Sequence, residues 1–177
     1  MKKLFVFILG LALLTWVAFR VDFKKIYINK PIVKETCPFC DPSVLKKQEV
    51  YRENGCIALL NYKPAVRGHM LVIPERHVER FEDLTPDEMV QIHAMIAKVD
   101  RAEKSLYGST GYALLQKNGA EAGQSVPHVH FHYLKAAQGD SKIGLVIRIL
   151  LSPWLKPLPP EEIDRERSGF QGNGFAD

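Results

Sequence analysis

The sequence predicts an α+β fold: an antiparallel sheet of about five strands with one long helix laid across it, preceded by an N-terminal hydrophobic helix. Three observations carry this. Asn54-Gly55 separates two short strand-like runs, and Asn-Gly supplies the two positive-φ residues of a tight hairpin turn. Thr85-Pro86-Asp87-Glu88 opens a helix with the capping hydroxyl, the first-turn proline and the capping-box acid all in place. His128-Val129-His130-Phe131-His132 alternates with a period of two, the spacing of one strand face.

The 177 residues suit one compact domain with appendages. Residues 1–22 read as a membrane anchor or signal segment, since residues 4–19 are apolar apart from Thr15 and follow Lys2 and Lys3. A cut after Ala18 would place Trp16 at the other small-residue position, so an uncleaved anchor is expected. Arg20, Lys24, Lys25, Lys30 and Lys34 outnumber the two leading lysines, which favours a cytoplasmic domain. Residues 23–36 read as a linker, 37–138 as the folded domain, and 139–177 as an amphipathic helix and tail.

Within the domain, residues 50–53 and 56–60 form the hairpin, and Cys56 is expected to be a buried strand residue. Residues 68–73 make a third strand, closed by Pro74. Met89, Ile92, Ile96 and Val99 recur at helical spacing, and the helix should stop before Gly108. Residues 111–117 and 128–134 are the fourth and fifth strands. Further on, Ile143, Ile147, Leu150 and Trp154 share a helical face before the break at Pro153, Pro157, Pro159 and Pro160. That face either packs on the domain or a second subunit, or lies in a membrane interface. From Gly169 onward the chain is expected to be disordered.

The net charge of +4 resides wholly in Lys2, Lys3, Arg20, Lys24 and Lys25 against Asp22. The remaining 19 basic and 19 acidic residues balance, which excludes the basic surface of a nucleic-acid polymer binder. The three cysteines cannot form a complete disulfide set. Cys37-Pro38-Phe39-Cys40 offers two thiolates at the spacing of a zinc site. A redox pair and an unligated pair are the alternatives; the first lacks an evident helix start or βαβ pattern around it. Three of the six histidines on one strand face point to chemistry rather than packing, whereas His93 inside the long helix reads as structural.

Asn118-Gly119, Ala122-Gly123-Gln124-Ser125-Val126 and the histidine run resemble the histidine-triad (HIT) superfamily of nucleotide hydrolases and transferases. Upstream, Ala58-Leu59-Leu60-Asn61-Tyr62-Lys63-Pro64, Gly68-His69-Met70-Leu71-Val72-Ile73-Pro74 and His77-Val78-Glu79-Arg80-Phe81 resemble its fragile-histidine-triad branch, the dinucleoside polyphosphate hydrolases. The cysteine pair resembles the zinc-containing bacterial members. The similarity spans roughly residues 35–136.

The resemblance implies a HIT-like fold and a nucleotide hydrolase acting at the α-phosphate of dinucleoside polyphosphates or nucleoside phosphoramidates. His130 would be the nucleophile, forming a nucleotidyl-histidine that splits one hard step into two easier ones. His132 would bond a phosphate oxygen or carry a proton. Gly123 would admit the phosphate to the backbone, with Gln124 and Ser125 supplying donors. Asn118 would lie beside the leaving group. Asn61 falls at the ribose contact, its alternative being a turn residue that ends a strand. His69 stands near the phosphates or serves packing. His77 and His128 would join Cys37 and Cys40 in a structural Zn2+ site. A homodimer through the long helix and a sheet edge is the family habit. Alternatives are a nucleotidyltransferase or phosphorylase using the same intermediate, although the uridylyl-transferring branch carries Gln where His132 stands, and a non-enzymatic membrane-tethered nucleotide-binding module.

Overall fold

In the computed structural model the described residues are 37–108, 111–136, 142–152, 155–173 and 175. The predicted anchor (1–22), the linker (23–36) and Trp154 lie outside them. Strands β1 (Glu49–Glu53), β2 (Cys56–Leu60), β3 (Met70–Pro74), β4 (Gly111–Gln116) and β5 (Phe131–Ala136) make one sheet in the order β1-β2-β3-β5-β4. Every pairing is antiparallel. Four α-helices are described: α1 (Pro42–Gln48), α2 (Pro86–Tyr107), α3 (Lys142–Leu151) and α4 (Pro160–Asn173).

The hairpin turns where the sequence places it, with Asn54 at φ 48° and Gly55 at φ 75° joining Glu53 to its partner Cys56. Strands β2 and β3 are apolar throughout because both of their faces are covered. Cys56, Ala58, Leu60, Met70 and Val72 meet Ile92, Met95, Val99 and Ala102 of α2. Ile57, Leu59, Leu71 and Ile73 meet Cys37, Phe39 and Leu45 on the other side. At the start of α2 the Thr85 hydroxyl accepts the Glu88 N–H at 3.2 Å, and the Glu88 carboxylate accepts the Thr85 N–H at 2.8 Å. The helix ends at Tyr107, and Gly108 takes the left-handed conformation that returns its N–H to the Lys104 carbonyl.

One glycine is dictated by its neighbour. Gly68 has φ +74°, and a Cβ there would collide with the carboxylate of Glu103 on α2. Glu103 is fully buried, and Lys135 Nζ stands 3.4 Å from its Oε2. Burial pushes this carboxyl up to about 8. The loop before β3, which carries His69, is thereby pressed onto the helix.

Three expectations are corrected, and of the readings of the α3 face the one that packs it on its own domain is excluded. The fifth strand begins at Phe131 rather than at 128, because the Val129 N–H bonds the Val78 carbonyl at 2.6 Å instead of joining the ladder. A helix start does follow the cysteine pair: Asp41 accepts the Ser43 N–H at 2.8 Å and Pro42 opens α1. Helix α3 packs through Leu145 and Ile149 onto Ala65, Val66 and Leu134, leaving Ile143, Ile147 and Leu150 exposed. It is apolar nearly all round, so periodicity alone does not choose its inner face. Finally, residues 169–173 are helical, not disordered, because α4 carries Phe170 into a fully buried position beside Tyr107. The Phe175 ring stacks on Tyr51 at 4.6 Å. No helix among the described residues is long and apolar enough to cross a membrane.

Phe170→Ala removes this aromatic plug and should cost about 3–5 kcal/mol. Urea unfolding measures it; a midpoint equal to wild type would contradict the docking of α4.

Candidate active site and metal cluster

The extended run into β5 presents three imidazoles, and the partner of each fixes its tautomer, because a carbonyl oxygen only accepts. His128 is buried with Nε2 2.9 Å from the Pro74 carbonyl. Its proton therefore sits on Nε2, and the Nδ1 lone pair faces Cys37 Sγ at 3.5 Å and Cys40 Sγ at 3.6 Å. His130 donates from Nδ1 to the His128 carbonyl at 2.7 Å, which leaves Nε2 bare.

His132 is set by a relay. The Ala65 N–H donates to His69 Nδ1 at 3.1 Å, so the His69 proton is on Nε2. That nitrogen lies 2.9 Å from His132 Nδ1 and donates to it, placing the His132 proton on Nε2. Two rings with centroids 4.9 Å apart thus carry opposite capacities: His130 a lone pair, His132 a donor.

Burial keeps these rings neutral. It lowers His69 to about 3, His128 to about 4 and His132 to about 2, and it also holds His130 below the ordinary imidazole range. The Lys117 ammonium pushes His130 and His132 in the same direction.

His130 and His132 line a cavity of about 460 Å³ together with Phe39, Asn61, Tyr62 and Ser125. This is within the size range of small-molecule sites. Phe39, between the two cysteines, sets its ring edge-on to His130 at 5.3 Å and to His128 at 5.9 Å. The cysteine turn therefore closes one wall of the cavity.

Of the residues singled out from sequence, Asn61, Ser125, His130 and His132 reach the cavity, and His69 stands directly behind His132. Asn61 also ends β2 in a turn, its Oδ1 accepting the Lys63 N–H at 3.0 Å while Nδ2 lies 3.3 Å from the His69 ring. Gln124 and Asn118 are not among the lining residues. Gln124 accepts the Gly119 N–H at 2.6 Å and donates to the Glu79 carbonyl at 3.0 Å. Asn118 accepts the Phe81 N–H at 3.0 Å and donates to Glu82 at 2.7 Å. Both amides brace the loop that delivers the histidines. Gly123 has φ +82°, and Lys117 Nζ passes 3.5 Å from where its Cβ would be.

Sequence reasoning passes over Phe39, Tyr62 and Lys117. The available signals were an apolar ring between two thiols and a cation immediately before Asn118-Gly119.

The ligand atoms of Cys37, Cys40, His77 and His128 all lie within 4.8 Å of one another. Cys40 Sγ is 3.4 Å from His77 Nδ1. A tetrahedral zinc with Zn–S near 2.3 Å and Zn–N near 2.05 Å has S···N edges of about 3.6 Å, so the donor set fits that ion. Burial pushes the Cys37 thiol up to about 11, and a divalent cation supplies the charge that stabilises its thiolate. On the outer side Glu79 Oε1 stands 3.6 Å from His77 Nε2.

Comparison with known proteins follows the same residues. The family profile described as HIT domain matches residues 43–139. An uncharacterised HIT-like protein of Methanocaldococcus jannaschii is 35% identical over 127 residues, covering 69% of this chain and 98% of its own. The asymmetrical bis(5'-nucleosyl)-tetraphosphatase of Schizosaccharomyces pombe is 37% identical over 93 residues, 52% of this chain; the match spans about half, 51%, of the yeast protein. The crystal structure of a zinc-bound histidine triad family protein from Mycobacterium smegmatis shares the fold with a TM-score of 0.59 at 23% identity, covering 79% of this chain and 96% of that one.

Protein purified without added metal is expected to hold about one zinc per chain by elemental analysis, and Cys37→Ser to lose it and melt several degrees lower. Absent zinc with an unchanged melting temperature would contradict the assignment.

Proposed function

The chain belongs to the HIT domain family, and from that membership we propose that it is a nucleotide hydrolase cleaving at the α-phosphate of dinucleoside polyphosphates or nucleoside phosphoramidates. One observation carries the reading: the nucleophile candidate His130 is held with its proton on Nδ1, against a backbone carbonyl, and its Nε2 free of a proton. Attack at phosphorus needs that lone pair, and burial keeps it available at neutral pH.

In the proposed reaction His130 Nε2 attacks the α-phosphorus while the bond to the leaving group breaks. The His132 Nε2–H hydrogen-bonds the departing oxygen or nitrogen and stabilises the charge it gathers, and the leaving group takes its proton from water. His69 holds His132 in the tautomer that presents this N–H to the leaving group. The Lys117 ammonium, close enough to depress both histidines, offsets the phosphate charge. Ser125, on the cavity wall, supplies a further donor, and Gly123 lets Lys117 and the phosphate approach the backbone. Water then attacks the nucleotidyl-histidine, releasing a nucleoside monophosphate and restoring His130. Asn61 faces the same cavity and is the residue we assign to the ribose hydroxyls.

Zinc at Cys37, Cys40, His77 and His128 would act structurally, since four protein ligands leave no open position. It would fasten the Phe39 wall to the run that bears His130. Similarity to the yeast tetraphosphatase supports the polyphosphate class of substrate. The homodimer implied by the resemblance is supported by β4, a strand at the end of the sheet order with Tyr112 and Leu114 exposed.

His130→Ala should lower turnover by roughly four orders of magnitude or more while nucleotide affinity is retained, and a labelled nucleotidyl adduct should be trapped on His130 in the wild type. Unchanged turnover in the variant would contradict the proposal. Turnover that requires phosphate or another acceptor in place of water would assign the chain to the transferase or phosphorylase reading.

A further inference from the structure

Helix α3 is built with two apolar faces. Leu145 and Ile149 bind it to the domain, and the segment that follows it is tied by the Leu158 N–H to the Tyr62 carbonyl at 2.8 Å. These attachments fix which side points outward. At 100° per residue, Ile143, Val146, Ile147, Leu150 and Leu151 then cover an outer arc of about 140°, opposite the packed side. All five are exposed, Ile143 by 71% and Leu150 by 65%. Leu155 continues the exposed apolar surface past the helix end. A helix on the surface of a water-soluble domain places polar residues on that arc; here there are none.

The flanking charge selects the occupant. Between Asp140 and Glu161 the sequence contains no acidic residue and three basic ones, Lys142, Arg148 and Lys156. A second copy docked by this face across a two-fold axis would set cations against the same cations. An anionic lipid surface instead accepts the apolar arc among its acyl chains and the cations among its headgroups. The same chain carries a second apolar stretch, residues 4–19, behind Lys2 and Lys3, and one weak lipid contact becomes stable attachment when a second is present on the same chain.

We propose that the outer face of α3 is a docking surface for an anionic lipid bilayer, along which the helix lies in the plane of the interface. This does not rest on the hydrolase reading and holds whatever the catalytic site does.

The two tryptophans, Trp16 and Trp154, allow a test on the full chain. In Trp16→Phe, emission comes only from Trp154, three residues after α3 ends. Vesicles of phosphatidylcholine with brominated phosphatidylglycerol should quench it, and vesicles of brominated phosphatidylcholine alone should quench it far less. Adding Ile147→Glu and Leu150→Glu should lower the vesicle-bound fraction about tenfold. Far-UV circular dichroism and the melting temperature of this variant report its folding. Three results would overturn the proposal: Trp154 unquenched while Trp16 is quenched in the converse Trp154→Phe protein; equal quenching with and without the two glutamates in a folded variant; or a lipid-free protein that is dimeric until the glutamates make it monomeric, which would assign the face to a second copy.

Discussion

A hydrogen bond between neighbours two residues apart governs the site. The carbonyl of His128 accepts the Nδ1–H of His130 at 2.7 Å, and this contact determines which nitrogen of the second ring keeps a free lone pair. The acceptor can do this only if residue 128 is itself immobile. It is held three ways: its Nε2 on the Pro74 carbonyl, its Nδ1 before two cysteine sulfurs, and its ring buried against Phe39. In the proposed reaction the cluster of four metal-type ligands would act through the main chain, by stiffening the residue whose carbonyl orients the His130 ring.

The same economy explains the second ring. His132 is not polarised by a carboxylate but by another neutral imidazole, His69, which is itself polarised by the Ala65 N–H. A neutral relay suits the proposed phosphate site, because a carboxylate there would repel a phosphate substrate. It also requires that the loop bearing His69 be fixed to the sheet. The close pass of Gly68 over the buried Glu103 achieves this, and the Lys135 ammonium beside that carboxylate comes from the strand that also carries His132. Helix α2, the loop and strand β5 meet at one buried Glu103–Lys135 contact.

Much of this is legible in the amino-acid order because it depends on local rules. Asn54-Gly55 dictates its turn, Thr85 to Glu88 dictates its cap, and the period-two spacing sets His130 and His132 side by side. The residues that sequence reasoning missed depend on contacts remote in the chain. Phe39 is a wall only because α1 and the cysteine turn fold over β2 and β3. Gln124 and Asn118, which the sequence does single out, have donors suited to phosphate, yet the Glu79 carbonyl and the Glu82 carboxylate accept from them in the structure. Phe170 sits in a polar tail, and only the surface of α2 reveals where one aromatic ring belongs. The inner face of α3 was illegible for the opposite reason, since an all-round apolar helix offers no contrast to read.

The central claim is that backbone geometry fixes opposite tautomers on adjacent rings. Long-range 1H–15N correlation spectra of protein labelled at histidine nitrogen address it directly. The account predicts a bare Nε2 and protonated Nδ1 for His130, the reverse for His132, and no titration of either ring near the ordinary value of 6.5. A proton on His130 Nε2, or a ring that titrates at that ordinary value, would contradict it.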